Sequence, residues 1–397
     1  MSAKLQFLYV NLGRGHPFYQ DGILEALIHR GHIGLVRKEL DAIALSRGLS
    51  RFAWKGAGWL YRTGSSSRFL MSYYNRLRSQ NDYNRHGFML RLMGRDLVRQ
   101  FRHSQDPLLV AHPTLVGILS GRPDLLYQHG EHAVPPESLV QGAHTVFVPT
   151  VEAAQPFLES GYRGQQVIVS GLCIEPQLVR QSRDAFDARM KRLEQHQPLT
   201  GVLFSSGAEP RLHIEKLAVA ARSIVYDGGR VIVFARHRGR LAGLVRHSFA
   251  GRGIGLLRLD ASTTLPSELP EATLVEFVTR RELDIFTAQL FPQFDYFMAP
   301  SHERTNWALG LGLPMFVVGP SLGTFSPLNQ ALLERHAVAR VIDSFNEANS
   351  FGSRIATLHR KGALERMASR GWGIYNISGF EQIADYLVAS YGDLSAE

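Results

Sequence analysis

Leu5-Gln6-Phe7-Leu8-Tyr9-Val10 runs straight into Asn11-Leu12-Gly13-Arg14-Gly15-His16-Pro17, and then into a segment carrying Ile23, Leu24, Ala26 and Leu27. A short apolar strand, a glycine turn and a helix are the opening unit of a doubly wound α/β domain. The glycines permit a tight turn and let a ligand approach the backbone. A helix start presents N–H groups that suit a phosphate or another electron-rich group. His16 stands at the mouth of this turn, where an imidazole can reach a substrate hydroxyl. A short Gly-x-Gly is also a common surface turn, so the rest of the chain has to support the reading.

Strand-length apolar runs recur downstream. A return strand is expected at Gly31–Val36. Leu108–Ala111 ends in His112-Pro113, and Leu125–Gln128 runs into His129-Gly130-Glu131-His132. Val146–Thr150 precedes a helix from Glu152 to Gly161, and Val167–Leu172 closes this half. Strand–helix alternation implies a parallel sheet, and such sheets bind ligands outside the carboxyl ends of their strands. His16, His112, His129 and Glu131 all follow strand ends, so one sheet sets them on one rim.

Glu175–Pro198 is polar and helical and reads as a linker helix. A second cycle then begins with the strand Thr200–Phe204, the small-residue turn Ser205-Ser206-Gly207-Ala208 and a helix over Leu212–Ile224. Strands are expected at Arg230–Ala235, Gly255–Leu259, Leu274–Val278, Phe294–Ala299, Met315–Pro320 and Val338–Ile342. The expected architecture is two Rossmann-like α/β domains facing across a cleft. The first covers residues 1–175 and carries a helical insertion at 51–102. The second covers 176–373, and an apolar helix over 374–397 either crosses back to the first domain or lies on the surface of the second.

The 397 residues are too many for one core, and 45% hydrophobic with 20% charged residues is the balance of a soluble globular protein. Cys173 is the only cysteine, which excludes an intramolecular disulfide and fits a reducing compartment. No apolar run approaches the ~20 residues that span a bilayer. The N-terminus has no signal-peptide pattern. A cytoplasmic protein is expected.

Between Arg51 and Arg102 there are eleven Lys/Arg and two acids, Asp82 and Asp96, a local excess equal to the +9 of the whole chain. Ten aromatics interleave with these charges, among them Phe52, Trp54, Trp59 and Phe88. Leu90, Met93, Leu97 and Phe101 step at helical spacing, with Arg91, Arg95, Arg99 and Arg102 on other faces. This profile suits a helix lying on an anionic membrane surface. It also suits a helical insertion with a solvated basic rim. Nucleic acid is the weakest of the three partners for such a stripe.

With these stretches in order, the chain resembles the GT-B glycosyltransferases. Within them it resembles the branch holding the lipid-linked N-acetylglucosaminyltransferase of peptidoglycan synthesis (MurG) and the monogalactosyldiacylglycerol synthases. Gly13-Arg14-Gly15-His16, Ala111-His112-Pro113, Val146–Pro149, Val169–Ile174, Ser205-Ser206-Gly207, Gly310–Pro314 and Asn329-Gln330-Ala331 carry the likeness.

The resemblance implies a nucleotide-sugar donor, of the UDP type, held by the second domain. A lipid or other amphipathic acceptor would be held by the first, at the inner face of the membrane. Transfer would be inverting and metal-independent, with no cofactor. His16 is the implied general base, with Glu131 as a second base or as the group fixing a histidine. Gly13, Gly15, His112 and His129 would line the acceptor side. Ser206, Gly207, Arg280, Glu303, Thr305, Asn306, Asn329 and Gln330 would bind the donor. In this branch a glutamate seven residues before the helix-ending proline holds the donor ribose. That position here is Trp307, and Glu303 lies one turn away. Two other readings stay open: a nucleotide-sugar epimerase, and a degenerate GT-B protein that binds a lipid or a partner without turnover.

Overall fold

The structure, a computed structural model, describes residues 4–11, 15–64, 76, 82–85, 87–195 and 197–392, with the backbone alone at 15, 16 and 60–64. Short runs of Leu, Ile, Val and Phe form thirteen strands among these residues. The first sheet takes β1 (Leu5–Tyr9), β2 (Val36–Asp41), β3 (Leu108–Val110), β4 (Leu125–Gln128), β5 (Thr145–Val148) and β6 (Val167–Val169). The second takes β7 (Thr200–Phe204), β8 (Arg230–Arg236), β9 (Leu257–Leu259), β10 (Ala272–Phe277), β11 (Tyr296–Ala299), β12 (Met315–Val318) and β13 (Ala339–Ile342). The orders are β2-β1-β3-β4-β5-β6 and β13-β12-β11-β7-β8-β10-β9, and every paired neighbour is parallel. Parallel strands are covered on both faces, which explains their near-continuous apolar sequences.

Each sheet reverses its direction of growth once, between β1 and β3 in the first and between β7 and β11 in the second. Loops diverge at such switch points and leave a crevice at the strand carboxyl ends. Those four loops carry Asn11, His112, Ser205–Gly207 and His302–Arg304.

Several segments depart from the sequence expectation. Ile33–Leu35 forms a single 3-10 turn, and the strand starts at Val36, where pairing with β1 begins. Residues 175–198 are no free polar linker. The helix Ser182–Glu194 buries Arg189, whose Nε donates to the Phe294 carbonyl at 2.9 Å and whose Nη1 donates to the Leu311 and Gly312 carbonyls at 2.9 Å each. Burial of a guanidinium is tolerable only with such partners. The terminal helix starts at Gly379, because the residues before it run extended: Leu172 N–H donates to the Asn376 carbonyl, and Cys173 pairs with Ser378.

That terminal helix, Gly379–Tyr391, lies on the first sheet. Phe380, Ile383, Ala384 and Leu387 share a buried cluster with Leu5, Phe7, Phe18 and Ile23. The approach is close enough that a Cβ on Gly22 would sit 2.2 Å from the Phe380 ring. Arg30 and Asp385 add an ion pair at 2.8 Å.

In the basic segment, the helices Gly48–Gly64 and Phe88–Phe101 pack side by side, with Trp54 buried between them and donating to the Met93 carbonyl at 3.1 Å. Phe52 and Trp59 are 74% and 59% exposed and lie on one stripe with exposed Lys55. Of the other aromatics counted there, Phe69, Tyr73 and Tyr74 lie outside the described residues. A second basic stretch escaped notice because the chain outside 51–102 balances in sum: residues 228–259 hold seven arginines and no acid. No helix among the described residues is long and apolar enough to cross a membrane.

Candidate active site in the cleft between the sheets

The two switch points open onto one cleft of about 1510 Å³. On the first sheet's side, Asn11, His112, Pro113, His129, Gly130 and Glu131 line it. The glycine in the β4 exit loop is required there, since a Cβ on Gly130 would lie 2.1 Å from the ring of Tyr19. Tyr19 belongs to the helix Gly15–His29, so this contact fastens the loop to the first helix.

His129 is a pin in that loop. Its Nε2 is 3.1 Å from the Ala133 carbonyl, so it donates there, and its Nδ1 is left to accept from the Tyr127 hydroxyl at 3.3 Å. His112 caps the helix Pro113–Leu119, its Nδ1 accepting the Thr114 N–H at 3.1 Å. Glu131 is held half-buried on the cleft wall. Enclosure pushes its carboxyl up to about 7, with the nearby Glu303 charge adding to the rise. Asn329 opposes this by donating to it at 3.0 Å. A carboxyl that titrates near neutrality can take up a proton during a reaction at that pH.

The second sheet's side has different chemistry. Ser205, Ser206 and Gly207 leave β7, Arg236 ends β8, Arg280 starts the helix Arg280–Leu290, and His302, Glu303 and Arg304 follow β11; all line the cleft. The Ser205 and Ser206 hydroxyl oxygens are buried with no hydrogen-bond partner among the described residues. Buried polar atoms are normally paired, so these are ready for a ligand. Arg304 stacks its guanidinium 4.1 Å over Phe204 and pairs with Glu303 at 3.2 Å. Next to it, Glu209 adopts the left-handed backbone region at φ 46, and its carboxylate accepts the Arg240 N–H at 2.8 Å.

Three contacts join the two sides. Arg280 makes a two-point ion pair with Asp21 at 2.7 and 3.2 Å. Thr324 donates to Glu137, and Asn329 donates to Glu131.

Of the residues expected from sequence, Glu131, His112, His129, Ser206, Gly207, Arg280 and Glu303 therefore meet in one cleft. Gly13 lies outside the described residues, and Gly15 and His16 begin the first helix with side chains likewise outside them. Thr305, Asn306, Asn329 and Gln330 do not form the cleft wall. Asn306 is buried and donates to the Cys173 carbonyl at 3.1 Å. Thr305 is buried in the first turn of the helix Thr305–Gly310. Gln330 serves its own surroundings, bonding Ser321 and Glu334. Trp307 is a core residue, packed on Phe204 and Phe297, with its indole N–H donating to Glu175 at 2.8 Å. The position is therefore outside the cleft lining, and Glu303 is the carboxylate of that segment in the cleft. His302, Arg304 and Arg236 were missed; their signal was cations placed directly after strand ends. Among the described residues no group of three or more His, Cys, Asp or Glu side chains is placed to hold a metal ion.

No protein-family model matches the chain, and no curated protein matches it in sequence. Solved structures do match in fold. The UDP-GlcNAc 2-epimerase from Neisseria meningitidis, bound to UDP-GlcNAc, is 12% identical over 98% of this chain and 100% of that one, with a TM-score of 0.54. A UDP co-structure of MnaA from S. aureus is 12% identical over 100% and 98%, with a TM-score of 0.52. The UDP-GlcNAc 2-epimerase of Methanocaldococcus jannaschii, with UDP-GlcNAc and UDP, is 13% identical over 97% and 99%, with a TM-score of 0.51. Two parallel-sheet α/β domains in this order and these whole-length similarities give the chain the GT-B fold.

Proposed function

We propose that the protein is a glycosyltransferase that moves a sugar from a UDP-linked donor to an amphipathic, lipid-like acceptor. The observation that carries this reading is the cleft. At about 1510 Å³ it exceeds the roughly 300–1,000 Å³ of a pocket for one small ligand. Its first-sheet side continues between the paired helices of the basic segment, where Trp54, Ala57, Leu90 and Met93 form an apolar wall. That leaves room for a second substrate with an apolar part.

In the transfer, the acceptor oxygen bonds to the anomeric carbon as that carbon's bond to the diphosphate oxygen breaks. The acceptor proton passes to a base. Glu131 has the proton affinity and the position for this role, and His16 is the second candidate. The departing diphosphate gains negative charge. Arg304, His302 and Arg236, with the Ser206–Gly207 turn, line the side that would stabilise it. The exposed Phe52, Lys55 and Trp59 support attachment to an anionic membrane surface at the inner face.

UDP release with a panel of UDP-sugars and a lipid extract tests the reading. Release that depends on the extract, with labelled sugar in the lipid phase, is expected. No release with any donor overturns it. The second reading, a UDP-sugar epimerase, is favoured by the carboxylates Glu131 and Glu303 meeting in the cleft from opposite domains. Isomerised UDP-sugar formed at the same rate without extract would establish it instead.

A further inference from the structure

The β4 exit loop and the segment after β12 meet over a short stretch. Thr324 donates to Glu137, Phe325 lies 6.1 Å from the His129 ring, and Asn329 donates to Glu131. Asn329 is fully buried, and the same amide group donates to the Ser301 carbonyl at 3.2 Å, which fixes its orientation. Glu131 belongs to the first sheet and Asn329 to the helix Phe325–Arg335 of the second. Their hydrogen bond exists only while the domains are together.

We propose that Asn329 is a positioning residue that holds the Glu131 carboxylate ready for proton transfer only when the two domains have closed. The inference rests on Glu131 as the proton acceptor of the reaction above. Chain opening removes the amide donor and the Glu303 charge together, so closure and the state of the base are one event. The groups facing Glu131 are Tyr19 from the first helix, Cys173 from the domain junction, and Glu303 and Asn329 from the second domain. Tyr19 and Cys173 are pushed well above neutrality by burial and stay neutral through the pH range of interest. Burial and then Glu303 raise Glu131, and the Asn329 amide and, less, the Tyr19 hydroxyl lower it by favouring the charged form.

Glu131 titrates higher in the folded protein than in the unfolded chain, so folding stability falls as pH rises towards and through 7. Without Asn329 the carboxyl rises further and this fall continues to higher pH. Below pH 5 Glu131 is protonated with or without the amide, and the pH-dependent part of the loss vanishes.

The experiment is a set of thermal unfolding curves from pH 5 to pH 9 for the wild type, Asn329→Ala, Glu131→Gln and the double variant. It needs no substrate, so its failure is distinct from failure of the transferase reading. The expected gap between wild type and Asn329→Ala widens with pH by about 1–2 degrees, the size of a one-unit shift in a chain of this length. In the Glu131→Gln background the gap stays constant, because the Gln amide still accepts from Asn329 but does not titrate. A gap that is the same at every pH, or that widens equally without Glu131, overturns the proposal. Where a donor is turned over, the acid limb of kcat/KM should move up by about one pH unit in Asn329→Ala and down in Glu303→Gln. An unmoved limb with a uniformly lower rate also overturns it, since a purely structural residue would do that.

Discussion

On the first sheet's rim the polar groups are pinned. His129 is held between Tyr127 and Ala133, His112 caps a helix, and Glu131 is braced from across the cleft. On the second sheet's rim the groups are small or cationic, apart from Glu303, which pairs with Arg304, and Glu209, which accepts the Arg240 N–H. Two buried serine hydroxyls lack partners among the described residues, and arginines end or follow the strands. The same topology thus carries two chemistries. One rim fixes a titratable carboxyl, and the other offers donors and positive charge to an anion. The fold supplies the position of the loops, and the loop residues supply the difference.

Glu131→Gln removes the titrating group and keeps the shape. It should lower turnover by about 10²- to 10⁴-fold, the range of a lost general base, while the affinity for UDP changes less than about threefold. Equal turnover in wild type and variant would move the proton acceptor to His16, and His16→Ala then becomes the decisive measurement. Loss of UDP affinity alone would break the division of labour between the rims.

Arg304→Ala is the opposite test. Charge-assisted hydrogen bonds contribute about 1.5–3 kcal/mol, so UDP affinity measured by calorimetry should fall by roughly 10- to 100-fold. Because Arg304 also stacks on Phe204, Arg304→Lys serves as the control for charge without stacking. An unchanged UDP affinity in Arg304→Ala would take the diphosphate off this rim.

The strands and their exit loops were legible because a parallel, doubly covered sheet forces continuous apolar runs broken by polar corners. Glu131 was legible for the same reason, as the acid in Gln128-His129-Gly130-Glu131. The sheet orders were not, since nothing local says that β3 returns beside β1 or that β9 lies beyond β10. Long-range partners were hidden as well. Trp307 reads as a lost ribose ligand until Glu175 is found beneath it, 132 residues earlier in the chain. Asn329 reads as a donor contact until the opposite domain is seen to bring Glu131 to it. Arg189 shows the limit of composition: a polar stretch looked like a solvated linker, but three backbone carbonyls from remote loops hold its Nε and Nη1 in the core.

The two basic stretches sharpen the comparison at the surface. In 228–259, Arg246 and Arg258 both close on the buried Glu276 at 2.8 and 2.7 Å, so part of that charge is spent inside the fold. In 51–102, Lys55, Arg91, Arg95, Arg99 and Arg102 are exposed, and Phe52 and Trp59 stand beside Lys55. Each basic residue near an anionic membrane contributes on the order of 1 kcal/mol. Vesicles with anionic lipid should therefore retain the protein in sedimentation, neutral vesicles should not, and raising salt should release it. Phe52→Ser with Trp59→Ser should weaken retention several-fold, whereas Arg252→Ser in the other stretch should leave it unchanged. Equal loss from both stretches would mean that net charge, rather than the aromatic and basic helix face, holds the protein at the surface.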